Sequence, residues 1–373
     1  MRIVIDCFKL VKGAGKSIGI YNLSLNLVKN LVASKESMED ETIKNSELII
    51  LGNQRNQMDF DMPGVKFLCV KNYDPLNKLD CIIWELFAVS VACKKLKADR
   101  VVFPRGFCAL THPVKDLVII HDMIPFYYHE HYPNYFNRLE NRYIMNRLKH
   151  SAKSCARIIT VSEESKKEIV KYCKIKEDKI KVIRNGLNEI TTEKEKDKEV
   201  IRPYIFAMTS TLPHKNAKGV FETYLEYCRI SKNPLDLVVV GVDDTMGIAF
   251  SDEVAKKIRC YKYLPNNLDL HRMIRNAKAF LFLSLVEGFG FPPIEAMQLG
   301  VPVICSNVSS LPEIVGDAAM KVNPFNKEEI AKCIEKMVSD KRISDHFVQM
   351  GKLKTKEYSC LATAQRYWRM IIA

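Results

Sequence analysis

The chain has 373 residues, 47% of them hydrophobic, with 12 cysteines and a net charge of +13. This length accommodates two domains with filled cores, and the charge favours acidic partners: phosphates, nucleic acid or an anionic membrane. The cysteines form no C-x-x-C pair, which argues against a disulfide framework or a zinc ribbon and for reduced thiols in the cytoplasm.

The opening MRIVIDCF is too short an apolar run for a secretory signal, and the longest membrane-span candidate, Cys81 to Cys93, is interrupted by Glu85. The apolar runs at 3–5, 48–51, 67–70, 101–103, 117–120 and 158–161 read as buried parallel strands. Helical patterns separate them, among them Ile20, Leu23, Leu27 and Leu31, and later the span 133–155. Asn185-Gly186 predicts a turn, and the charged stretch LNEITTEKEKDKEV after it predicts a linker. A second series follows, with strands near 204–208, 237–240, 279–284 and 301–305 and helices at about 341–357 and 361–372. Two alternating series joined by a polar linker predict an α/β chain with two doubly wound sheets, a ligand crevice lying at the carboxyl ends of the strands.

The segment FLFLSLVEGFGFPPIEAMQLGVPVICS is the most informative. It reads as strand, glycine loop, helix and strand. Glu287 falls in the loop and Glu295 in the first helical turn, with Pro292 and Pro293 at the helix start. Gly288 and Gly290 permit close backbone approach to a ligand. The amides of Phe289 and Gly290, and the helix that begins after Phe291, offer N–H groups and dipole potential to an anion. A carboxylate can meanwhile accept from two adjacent hydroxyls. Singly, each feature has an ordinary structural explanation: acids complement helix dipoles, and glycines make turns.

The pattern E-G-F-G-F-P-x-x-E-A-M-x-x-G-x-P-V as a whole resembles the signature of the family 4 retaining glycosyltransferases. The resemblance extends to MRIVID, IHDMIPF, IITVSEES, Asn185-Gly186 and SSLPEIVGDAAMKVNP. It implies the GT-B architecture: two facing Rossmann-like domains with a deep interdomain cleft and a C-terminal crossover helix. The N-terminal, acceptor-side domain would span 1–190, with about 358–373 packing back on it. The nucleotide-sugar domain would span 200–357.

The resemblance implies that a hexose, with a weak preference for mannose, passes from a nucleotide diphosphate sugar to a hydroxyl acceptor with retention at the anomeric centre. The departing phosphate would deprotonate the acceptor on the same face. It further implies that Glu287 and His121 bind hydroxyls of the donor sugar. Glu295 would grip the ribose, and Lys215, at a strand-to-helix loop, would neutralise the diphosphate. A lone strand-end histidine or a lysine is otherwise more often a structural or solvated group. The family's second phosphate clamp, an arginine, is absent. Ser210 and Thr211 stand in its place, leaving their hydroxyls or His214 as substitutes. In the first loop Gly19 would approach the diphosphate or acceptor, although Ser17 and Ile20 replace a typical glycine and arginine.

Two mimics are set aside on spacing. Gly13-Ala14-Gly15-Lys16-Ser17 looks like a P-loop, but the pattern needs a glycine where Leu10 stands. Asp59-Phe60-Asp61 imitates the metal motif of the GT-A fold but sits in a polar stretch that reads as a turn. No cofactor or metal is therefore expected, the nucleotide sugar being a substrate. Arg138, Arg142, Lys149 and Lys153 share one helix face. A solvated face is the default, and contact with anionic lipid around a lipid-linked or oligosaccharide acceptor is the competitor. Nucleic acid is not expected, for no binding motif accompanies the charge. The alternatives are a GT-B-like sugar-nucleotide epimerase or hydrolase and a non-catalytic sugar-nucleotide-binding protein.

Overall fold

A computed structural model describes residues 1–13, 18–112, 114–190 and 202–373. Most of the Gly13–Ser17 loop and of the charged linker lies outside these residues. The chain divides into two compact units, Met1–Gly186 with Ser359–Ala373, and Leu187–Tyr358.

The first unit holds a seven-stranded, all-parallel sheet: β1 (Arg2–Asp6), β2 (Glu47–Gly52), β3 (Lys66–Cys69), β4 (Arg100–Phe103), β5 (Lys115–Ile119), β6 (Arg157–Thr160) and β7 (Ile180–Val182). Their order is β3-β2-β1-β4-β5-β6-β7. The central strands are apolar on both sides because each face carries its own core, one around Trp84, Phe126 and Leu148, the other around Tyr21, Leu31 and Trp368. The C-terminal helix Cys360–Ile372 belongs to this second core. Trp368 Nε1 donates to the Leu31 carbonyl at 3.0 Å, on the helix Ile18–Lys35.

The second unit holds β8 (Tyr204–Met208), β9 (Asp236–Val240), β10 (Ile258–Tyr261), β11 (Ala279–Phe282), β12 (Val303–Ser306) and β13 (Ala319–Val322), also parallel, in the order β10-β9-β8-β11-β12-β13. Numbered within its own unit, each sheet reads 3-2-1-4-5-6, the doubly wound order, and the first adds a seventh strand. Each therefore has a switch point where the order reverses, between β1 and β4 and between β8 and β11.

Three local expectations are corrected. The helix expected over 133–155 begins later: Asn137 caps a helix over Arg138–Ser154, its side chain accepting from Leu139 and Glu140, and a separate helix over Ile124–His131 precedes it. Gly186 is needed for packing and not for a turn, since a Cβ there would lie 2.4 Å from the Cys360 Cα. Strands β7, β10 and β13 were not legible as apolar runs. All three are sheet edges, where one flank meets no further strand, and each carries a cation that interrupts the apolar run: Lys181, Arg259 and Lys321.

Candidate functional site

In the second unit the loops that leave β8 and β11 flank the switch point, and each delivers one charged side chain. After β8 the chain makes a short 3-10 turn over Pro213–Lys215, then a left-handed Asn216 at φ 54°, and enters the helix Ala217–Ile230. The turn is fixed by the Thr209 hydroxyl donating to the Lys215 carbonyl at 2.8 Å and by Asn216 donating to the Leu283 carbonyl at 3.1 Å. Gly241, just after β9, is required beside it, because a Cβ there would fall 1.8 Å from the Thr209 carbonyl oxygen.

After β11 the loop carries Glu287, and its carboxylate meets the Lys215 ammonium at 2.5 Å. Both side chains are mostly buried, at 11% and 25% exposure, so the pair is less screened than a surface ion pair. The Lys215 ammonium also lies 5.9 Å from the Phe282 ring centre. Two serines that motif reading did not single out hold the loop from behind. Ser309 Oγ accepts from the Glu287 amide and donates to its carbonyl, at 3.1 and 3.0 Å. Ser310 Oγ reaches the carbonyls of Glu287 and Phe289, each at 2.9 Å. Their signal in the sequence was the SSLPE segment, which resembles the family without naming a role.

The helix that follows runs over Phe291–Gln298, entered through Gly290 at φ 104°. A Cβ on Gly290 would sit 2.6 Å from Leu311 Cδ2, so glycine is demanded twice, by conformation and by space. Here the sequence reading needs two corrections. Glu295 lies in the second turn, not the first, which contains no acid. Pro292 and Pro293 also remove two of the four donors that a helix start normally leaves open. Among the described residues, the N–H groups of Phe289, Gly290 and Phe291 donate to no backbone carbonyl. The Phe289 ring itself is buried against Phe291 and Tyr358. Gly288 is half-buried beside Glu287. Burial alone raises the Glu295 pKa, with no cation offsetting it.

Burial and the adjacent Lys215 charge lower the His214 pKa to about 4, so it is neutral and offers a phosphate a hydrogen bond but no charge. Ser210 Oγ accepts from the Leu212 amide at 3.3 Å, and Thr211 is exposed.

In the first unit, His121 Nε2 lies 2.9 Å from the Pro104 carbonyl, which makes that nitrogen the donor. The buried Nδ1 has no partner, and burial lowers the ring's pKa. The result is a neutral imidazole offering one acceptor. It lines a cavity of about 40 Å³ with Leu23, Ser24, Leu27, Pro104 and Tyr367. Gly19 is exposed, second in the helix Ile18–Lys35, with open space where a Cβ would stand.

The switch point of the first unit is a charge network that sequence reading missed. Glu85 bonds Lys9 at 2.7 Å and Arg147 at 3.0 Å, and it accepts from the Tyr143 hydroxyl at 3.4 Å. Asp6 accepts from Trp84 Nε1 at 3.0 Å, and burial pushes its pKa up to about 6. Arg105 Nε is buried without a partner. Arg147 is therefore interior. Arg138, Arg142 and Lys153 are exposed, and Lys149 packs 5.3 Å from the Phe126 ring. Asp59 accepts from the Tyr21 hydroxyl at 2.6 Å, so it holds a side chain where a bare solvated turn was expected. No helix among the described residues is long and apolar enough to cross a membrane.

Two family models match the chain: Glycosyl transferases group 1 over residues 189–354 and Glycosyltransferase Family 4 over 71–189. The O-antigen chain mannosyltransferase RfbU of Salmonella typhimurium is 27% identical over 71% of this chain and 73% of its own. The O-antigen chain mannosyltransferase B of Escherichia coli is 28% identical over 61% of this chain and 63% of its own. Among solved structures, WaaG, a glycosyltransferase involved in lipopolysaccharide biosynthesis, superposes with TM-score 0.67 over 99% of both chains at 13% identity. Anabaena HepE in complex with UDP gives 0.65, over 99% of this chain and 98% of that one, at 12% identity. The chain belongs to the family 4 glycosyltransferases and has the GT-B fold.

Proposed function

We propose that the protein is a retaining hexosyltransferase of surface-polysaccharide assembly, moving mannose from a nucleotide diphosphate donor to a lipid-linked or oligosaccharide hydroxyl without a divalent metal. The observation that carries this reading is the Lys215–Glu287 pair at the switch point of the second sheet, on a loop with the family signature. Support for the sugar comes from the mannosyltransferase names of the relatives, and for a nucleotide diphosphate from the UDP seen in HepE.

Breaking the glycosyl–phosphate bond builds negative charge on the departing diphosphate and positive charge on the sugar. Lys215 and the open amides at Phe289 to Phe291 are the donors that receive the former. Glu287, released from its lysine as the phosphates take over that cation, turns to the sugar. His121, neutral with an acceptor nitrogen, suits a sugar hydroxyl. Glu295, a desolvated carboxylate with no cation, suits the ribose diol, whose two hydroxyls restore the hydrogen bonds lost to burial. The phosphate oxygen freed by cleavage takes the acceptor's proton, so no protein base is required.

The membrane side rests on the first unit. A continuous helix, Lys78–Lys95 with a π turn over Trp84–Ala88, exposes Leu79, Ile83, Phe87 and Val91. Lys78 reaches Glu140 of the basic helix at 3.8 Å, so the apolar stripe neighbours Arg138 and Arg142. Apolar residues beside cations fit an anionic lipid surface, where the acceptor's lipid would be held.

The test is turnover with nucleotide diphosphate mannose, glucose and N-acetylhexosamine donors, with and without a lipid-linked acceptor and with chelator present. Acceptor-dependent mannose transfer in chelator is expected. Hydrolysis or isomerisation without acceptor would replace the transferase reading, and a strict Mg²⁺ requirement would end the metal-free one.

A further inference from the structure

We propose that Cys108, His112 and His150 form a zinc site in the first unit, separate from the sugar chemistry. Cys108 and His112 lie in the loop between β4 and β5, and His150 lies on the helix Arg138–Ser154. One ligand atom from each falls within 4.8 Å of the other two. Tetrahedral coordination with bonds of about 2.0–2.3 Å needs separations of roughly 3.3–3.7 Å, which is a contraction within reach of side-chain rotation.

Each ligand is already oriented from behind. The Cys108 amide donates to Ser151 Oγ at 2.9 Å, and its carbonyl accepts from the Arg147 guanidinium, so the helix carrying His150 also grips the cysteine. His112 Nδ1 lies 2.6 Å from Asp116 Oδ2, and the other Asp116 oxygen accepts from the Ala156 amide at 2.7 Å. That carboxylate-to-histidine contact places the proton on Nδ1 and leaves Nε2 as the free lone pair, the usual outer-shell arrangement of a metal-bound histidine. The His150 Nε2 is buried with no partner. A buried nitrogen without a partner is unfavourable unless something fills its lone pair.

One sulfur with two imidazoles is a donor set for zinc and a poor one for Mg²⁺ or Ca²⁺, which prefer oxygen. Binding forms a Zn–S bond as the Cys108 thiol gives its proton to water. The resulting thiolate and the Asp116 carboxylate balance the dication. Three protein ligands leave a fourth position for water on the side of His112, which is 24% exposed. The ion would staple the β4–β5 loop to the helix whose outer face carries Arg138 and Arg142.

The test uses the full chain without a histidine tag, stripped by chelator and then titrated with Zn²⁺ against a chromophoric competitor, or with Co²⁺ as a spectroscopic probe. One tightly held equivalent, a sulfur-to-cobalt absorption in the near ultraviolet and a Zn²⁺-dependent rise in melting temperature are expected. All three should vanish in Cys108→Ser and His150→Gln and survive in Cys69→Ser. Asp116→Asn should weaken affinity by about 10–100-fold. Should the buried variants fail to fold, His112→Ala at the part-exposed position decides, its fold checked by circular dichroism without metal. Zinc uptake that is absent in the wild type, or unchanged in His112→Ala, overturns the site.

Discussion

The two units share a strand order and differ in what stands at its reversal. At the β1/β4 switch point Glu85 is closed in by two cations, Lys9 and Arg147, and Asp6 accepts from Trp84. At the β8/β11 switch point a single pair, Lys215 and Glu287, faces its loop with fewer partners, and the nearby Glu295 has no cation. A buried carboxylate held by two cations rigidifies its surroundings. A pair whose lysine can be drawn off by phosphate is poised to exchange partners. On the proposed function, the same topology offers a scaffold in one half and a reactive seat in the other.

The sharpest way to break this contrast is to disable the pair. Lys215→Ala and Glu287→Gln should each lower kcat by about 10²–10³-fold with a smaller change in KM, since their work falls on the transition state. The double variant should lose little more than either single one. Fully additive losses, or effects confined to KM, would show that the two act apart and only bind.

Asp6→Asn probes the other half. A carboxyl whose native pKa is raised to about 6 from 3.8 gives its full stability below pH 4 and loses it as pH rises through that window. The asparagine keeps the acceptor for Trp84 without the charge. Its stability relative to wild type should therefore climb by up to about 3 kcal/mol between pH 4 and pH 6.5. Both tryptophans, Trp84 and Trp368, lie in this unit, so their fluorescence in urea titrations follows its unfolding alone. A flat difference across those pH values would mean Asp6 is not held in a desolvated place.

Glu295→Ala should weaken donor binding by about 10–100-fold, as for a lost hydrogen bond to a charged group, with little effect on a donor analogue lacking the ribose hydroxyls. Equal loss for both compounds would remove the ribose role. The smallest effect is expected at the surface: Arg138→Glu and Arg142→Glu should each reduce sedimentation with phosphatidylglycerol vesicles by about fivefold or somewhat more, and high salt should erase the difference. Unchanged sedimentation would leave that face merely solvated.

Much of this was legible in the sequence because its signals are local. Continuous apolar runs mark strands, which is why the central strands and the edge β3 were found, while β7, β10 and β13, interrupted by Lys181, Arg259 and Lys321, were not. The glycine-rich loop, its helix and the acidic pair are written in one segment, Phe280 to Ser306. The resemblance of the whole pattern to the family signature carried that motif. It misjudged what surrounds it by a turn: Glu295 sits deeper in its helix than a proline-led start suggested, and Gly186 serves packing.

Partnerships between distant residues had to wait for the tertiary structure. Lys215 and Glu287 are 72 positions apart, Arg147 and Glu85 are 62, and Trp368 is 337 from Leu31. Cys108, His112 and His150 carry no zinc-finger spacing, because a helix and not a short loop supplies the third ligand. Pattern reading sees periodicity and nearest neighbours. Which charges neutralise one another, and which are left facing a ligand, depends on loops that the sheet order brings to the same edge.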